Sequence, residues 1–273
     1  MSTAARPRAS LWAYRSLIWN FAQRDLKSRF KGTALGWAWS LMAPLATLMT
    51  YSLVFGVFLG GGAPPFGNGR PGFFSVWLLA GLVPWNFFLI AILISMPTIL
   101  SNGAMLQKVY FPSYAPILGA VTAILVQTMI EFGILAVVLI AFGNVGPTWL
   151  LFPFWLAPFI VFVGSVALSL AIMNVHIRDL GHLTNVALQL LFFLTPIIYQ
   201  IDRIPAEWHG IHVRALVGLN PMSVYVDSLR QLAYALEVPS LSSWLGIGAW
   251  AAVAAAVAYL VYTRRGLDIG EAI

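Results

Sequence analysis

Four cations stand close together in "RDLKSRFKGTALGWAWSLMAPL", residues 24–45. Arg24, Lys27, Arg29 and Lys31 crowd against a run that carries no charge. Ionised groups beside apolar chain are costly to hold unless an anion faces them. An anionic headgroup entering sideways from the inner leaflet would supply that anion. Arg24, Lys27 and Lys31 recur at spacings of three and four and so share one helical face, while Asp25 stands four residues before Arg29 and can neutralise it. A basic helix is also drawn to anionic lipid headgroups. A substrate site and a membrane tether are therefore both consistent with these residues.

Other chemistry is scarce. Glu131 is an acid inside an apolar stretch, between the Gln127–Thr128 pair and Gly133. Such a carboxylate is either functional or a hydrogen-bonded brace between helices. His209 and His212, with Glu207 nearby, are too loosely spaced for a metal centre and read as solvated loop. No Walker A loop exists, because the sole Lys followed by Ser or Thr is Lys27, preceded by Leu26. No two aspartates lie within four residues, which removes the paired carboxylates that hold magnesium on a lipid diphosphate. Cysteine is absent, excluding disulfides and thiolate chemistry. No cofactor or metal is expected in this chain, and no nucleic acid partner.

The elements that must position these groups are apolar spans. Hydrophobic residues make up 60% of the 273 and charged residues 9%, against about 25% in soluble domains. No Asp, Glu, Lys or Arg occurs from Gly32 to Gly69, from Pro71 to Gln107, or from Phe132 to Ile177. Each gap exceeds the roughly 20 residues that cross a bilayer. The pattern predicts an all-α, polytopic membrane protein with spans near 33–60, 73–100, 116–142, 150–175, 183–199 and 244–262. Ahead of them, residues 10–31 predict an amphipathic interface helix, its apolar stripe being Leu11, Tyr14, Ile18, Ala22, Leu26 and Phe30. Charges interrupt the chain up to Lys31, so the N-terminus is expected to be retained and not cleaved as a signal.

Residues 201–243 carry too many charges for a free span. Met222, Tyr225, Val226, Leu229, Leu232 and Leu236 nevertheless form a helical stripe, with Asn220 as cap and Pro221 at the first helical position. Two short interfacial or re-entrant helices are predicted on the outer side. Six spans place both termini on one side. That side collects eleven cations against four opposite, which orients the termini to the cytoplasm. The division is thus 1–32 for the cytoplasmic end and interface helix, and 33–273 for one membrane domain. Most of the eleven tryptophans read as interface anchors. Trp85, Trp155 and Trp250 lie deeper. Together with Glu131, Tyr199, Asn220 and Tyr225 they are the channel-lining candidates.

"RDLKSRFKGTALGWAWSLMAPL", "YSLVFGVFLG", "FFSVWLLAGLVPWNFF", "LQKVYFPSYAPIL", "FFLTPIIYQ" and "LNPMSVYVDSLR" occur in that order over about residues 24–230. As a set they resemble the membrane subunit of ABC-2-type exporters for lipid-linked polysaccharides, the group that handles O-antigen, teichoic acid, capsular chains and galactan. The resemblance implies the interface helix, the six spans, the re-entrant helices and a homodimer. It implies two separate ATPase subunits holding ATP and magnesium, docked mainly on about Ser101 to Pro112. Ser101, Asn102, Gln107, Lys108 and Tyr110, with Arg178 and Asp179 of the next loop, are then the coupling candidates. It further implies that a lipid-diphosphate-linked glycan meets the cations of 24–31, where Arg24, Lys27, Arg29 and Lys31 would bind the anchor. An ABC-2 exporter of drugs or simple lipids is the nearest alternative. A polyprenyl-lipid glycosyltransferase would need a carboxylate set that the chain lacks.

Overall fold

The computed structural model describes residues 14–30, 38–58, 60–103, 111–177, 179–210 and 212–266, and its regular structure there is helical. Lys31, Gln107, Lys108, Tyr110 and Arg178 lie outside the described residues. The chain opens with α1 (Arg15–Phe30), then α2 (Ala38–Tyr51), which widens into a π-helical turn at Ser52–Phe58. α3 (Phe74–Ser95) is followed by the single turn α4 (Thr98–Ser101), and α5 (Tyr114–Ala141) by a 3-10 turn at Pro147–Leu151. α6 (Phe152–His176) and α7 (Leu180–Leu194) come next. The short α8 (Val213–Leu219) and α9 (Pro221–Leu229, continued by a π turn at Arg230–Ala235) precede α10 (Leu241–Val261, continued at Tyr262–Gly266).

Among the described residues four helical stretches are long and apolar enough to cross a membrane: Phe74–Ser95, Tyr114–Ala141, Pro147–His176 and Leu241–Gly266. Leu45–Phe58 and Leu180–Leu194 are shorter apolar helices. At about 1.5 Å per residue the 15 residues of α7 fall short of a hydrocarbon core of about 30 Å. Two predicted boundaries move, both at proline. The fifth span was expected to reach Tyr199 but stops at Leu194, because Pro196 drives Thr195 into extended backbone (φ −99°, ψ 132°). The second was expected to run to residue 100 but breaks after Ser95, where Pro97 heads the separate turn α4.

α3 is the hub. It packs against α5, α6 and α9, and its buried residues run from Val76 to Ser95. α10 packs along α6, and both helices bury small residues: Ala251, Ala254 and Ala258 on one, Gly164, Ala167 and Ala171 on the other. Small side chains let two backbones approach closely where no water drives them together. α2 and α7 instead leave apolar rows uncovered, Met42, Leu45, Met49 and Leu53 on one and Leu183, Val186, Leu190 and Phe193 on the other.

Candidate functional site

α1 docks on protein. Of the stripe read from sequence, Ala22 is fully buried toward α5 and Tyr14 and Ile18 are partly buried there, beside the nearly buried Phe21, while Leu11 and the Phe30 side chain lie outside the described residues. Phe21 packs on Phe111 (ring centroids 5.5 Å apart) and Tyr14 edge-on against Tyr114 (6.1 Å). The approach is so close that a Cβ at Gly119 would collide with the Cβ of Phe21, which only glycine avoids. This contact fixes the rotation of α1 and thereby aims its cations.

Arg24 Nη2 donates to Asn102 Oδ1 at 2.8 Å, joining a predicted anchor-binding residue to a predicted coupling residue. Its guanidinium also lies 4.9 Å from the Phe21 ring and 4.0 Å from Asp25. Asn102 is buried and held by its own Nδ2, which donates to Thr98 O at 2.8 Å. Ser101 is exposed, with its hydroxyl on Thr98 O. Lys27 is exposed on α1, and Arg29 lies in the helix's last turn. Asp179 is exposed just ahead of α7. Two further links gather elements at this end. Asn174 Nδ2 donates to Met96 O at 3.2 Å, and Ser113 Oγ donates to Gly266 O at 3.1 Å. The beginning of α5, the end of α10 and the α1–Asn102 contact thus lie together.

The channel-lining candidates divide. Trp85, Trp155 and Tyr225 are buried inside the protomer. Their polar ends are satisfied internally: Trp155 Nε1 donates to Ser228 Oγ at 2.9 Å, and the Tyr225 hydroxyl to Ile247 O at 3.0 Å. An aromatic side chain with its polar tip paired costs nothing to bury and fills the core. Asn220 is the cap expected of it, its Oδ1 accepting from Met222 N at 3.0 Å while Nδ2 donates to Thr195 Oγ1 at 2.9 Å. Tyr199 and Trp250 are half-buried. Glu131 is buried beside a cavity of about 20 Å³ that Asn86 also lines, and among the described residues its Oε2 has no hydrogen-bond partner.

Arg230, one of the four cations counted on the outer side, holds a place that sequence reasoning did not reveal. It is buried in the core, 3.5 Å over the Trp77 ring. Its guanidinium donates to Pro196 O (2.6 Å), Ile197 O (2.7 Å) and Trp77 O (3.3 Å). Gly81 leaves room for it, since a Cβ there would overlap the guanidinium. α9 is correspondingly packed into the core, with Met222, Tyr225, Val226 and Leu229 buried. Loops grip the end of its π turn: Asn144 Nδ2 donates to Tyr234 O (2.8 Å), Thr148 Oγ1 to Leu232 O (2.7 Å) and Gly67 N to Tyr234 O (3.0 Å). Helix-end carbonyls need such partners once away from water.

The family profile described as ABC-2 type transporter matches residues 16–234. The chain belongs to that family. It is 29% identical over 266 residues to the O-antigen export system permease protein RfbA of Myxococcus xanthus, covering 96% of this chain and 97% of the relative. Two O-antigen export system permease proteins RfbA of Klebsiella pneumoniae are 26% and 25% identical over 215 residues, covering 77% of this chain and 76% of each relative. The ABC-2 match takes in α1 to α9, so Arg24, Asn102 and Arg230 all fall within it. Among the described residues of this ABC-2 permease no cluster of three or more His, Asp or Glu could hold a metal. Glu207 and His212 form an exposed pair, 3.0 Å apart.

Proposed function

We propose that this ABC-2 permease is the membrane subunit of an ATP-driven exporter that moves a lipid-diphosphate-linked polysaccharide outward across the bacterial cytoplasmic membrane. The observation that carries the reading is the similarity to an O-antigen export permease along 96% of the chain. In this reading two copies of the chain form the transport unit, each with six spans and both termini in the cytoplasm. The uncovered apolar rows of α2 and α7 support the dimer, since a second copy would bury them. Two ATPase subunits that hold ATP and magnesium dock around Ser101 to Pro112, with Gln107, Lys108, Tyr110, Arg178 and Asp179 as further coupling positions.

The lipid diphosphate meets Arg24, Lys27, Arg29 and Lys31 at the inner leaflet, and the glycan threads between the two copies. Arg24 bears on both tasks because it already bonds Asn102. An anchor phosphate that draws Arg24 away from Asn102 would alter the contact next to the docked ATPase, so that substrate is sensed before ATP is spent. Residues 201–243 stay on the outer side in this reading.

Depleting the chain in the producing cell tests the proposal. Lipid-linked glycan should accumulate inside while surface glycan falls, and the purified chain should bring an ATPase with it. Unchanged surface glycan after depletion, or a purified complex without an ATPase, refutes the exporter.

A further inference from the structure

At the end of the bundle away from Arg24, a cleft of about 290 Å³ opens between the π-helical end of α2, the start of α3 and the turn after α7. That volume lies just below the roughly 300–1,000 Å³ of drug-sized ligand sites. Phe74, Trp77, Phe193 and Tyr199 supply aromatic surface to it, and Gln200 and Arg203 supply polar groups. Arg203 is exposed, and no hydrogen bond or ion pair engages its guanidinium among the described residues. The Tyr199 hydroxyl donates to Phe193 O at 2.8 Å, and Gln200 Nε2 to Gly62 O at 3.3 Å. The lone pairs of the phenol oxygen and the amide oxygen of Gln200 remain as acceptors.

The walls are set in advance. Arg230 holds Pro196 O and Ile197 O, directly before Ile198, Tyr199 and Gln200, and covers one face of Trp77. A preset cleft spares a ligand the cost of ordering it. Aromatic faces are electron-rich and accept the C–H face of a sugar ring. A planar guanidinium reads a pair of adjacent oxygens, and the two acceptors read hydroxyls. A lone cation among five aromatic rings, Phe55 being the fifth, suits a sugar better than a phosphate headgroup, which basic clusters hold.

We infer that this cleft is a carbohydrate subsite that takes one sugar unit of the glycan, with Arg203, Tyr199 and Gln200 on its oxygens and the aromatic rings on its faces. The inference rests on the exporter reading, and it adds a contact site remote from the anchor cations. The chain has no cysteine, so Gly62→Cys is a unique reporter. Gly62 is exposed on the cleft and a Cβ there meets nothing within 4 Å.

The test is labelling of Gly62→Cys by an impermeant maleimide, with the permease–ATPase complex in phosphatidylcholine nanodiscs. The probe is the water-soluble glycan released by mild acid from lipid-linked material of depleted cells. Labelling should slow in a saturable way. Arg203→Ala should raise the glycan concentration for half-protection about tenfold, the loss of one charge-assisted hydrogen-bond pair. Arg203 engages no partner among the described residues, so this variant keeps the fold. Absent protection overturns the subsite, as does equal protection by dextran that Arg203→Ala leaves unchanged. Slower labelling in phosphatidylglycerol nanodiscs, with no effect of glycan, assigns the cleft to lipid and also overturns it. The exporter reading fails separately, when depletion accumulates no lipid-linked glycan.

Discussion

Asn102→Ala removes the acceptor to which Arg24 donates at 2.8 Å. Arg24→Ala removes the donor and leaves a buried amide oxygen unpaired. A hydrogen bond to a charged group contributes about 1.5–3 kcal/mol when dry. Here the Arg24 side chain is 49% exposed, so water can replace part of the bond and about 1 kcal/mol is the appropriate size. That is roughly a fivefold change in any equilibrium that makes or breaks the contact. The assay is ATPase activity of the purified permease–ATPase complex in nanodiscs, with and without lipid-linked glycan. Each single variant should reduce glycan stimulation several-fold while basal hydrolysis and assembly persist. Arg24→Ala/Asn102→Ala should be no worse than the weaker single variant, because both remove one and the same link. Asn102→Asp keeps an acceptor and should retain most of the stimulation. If the double variant loses the product of the two single effects, the residues act independently and the proposed relay is wrong.

Other outcomes follow from the same geometry. Arg24→Ala, Lys27→Ala and Lys31→Ala should weaken glycan-stimulated hydrolysis and export, and Arg6→Ala with Arg8→Ala should do little; equal effects would mean that the cations only tether the helix to anionic lipid. Arg230→Met leaves Pro196 O and Ile197 O unpaired in the core, at about 1–3 kcal/mol each, and should lower the unfolding midpoint in detergent; an unchanged midpoint would contradict the buried placement. Gly81→Ala crowds the same guanidinium and should cost about 1–3 kcal/mol by overpacking, read from the same melt. A cysteine at Glu207 should react with an impermeant reagent in intact spheroplasts, and one at Thr263 only after lysis. The reverse pattern would invert the topology.

Much of the architecture was legible in the chain because apolar length and local caps are local properties. Each stretch read as a span holds a helix, and Asn220–Pro221 starts α9 as its residue types require. The apolar stripe of α1 was legible from spacing, and Pro196 carried the signal for the early end of α7. What covers that stripe was not legible, because a spacing pattern states only that one face avoids water. The fold supplies α5 as the cover and sets the rotation that brings Arg24 to Asn102, 78 residues away. Trp155 and Tyr225 were indistinguishable in sequence from surface aromatics, since inward or outward orientation depends on how neighbouring helices rotate. Arg230 shows the limit most sharply. A count of charges treats every arginine as solvated, but this one is buried because three carbonyls, from Pro196, Ile197 and Trp77, converge on it across separations of 33 to 153 residues. Only the tertiary structure assembles those acceptors, and without them burying that charge would be prohibitive.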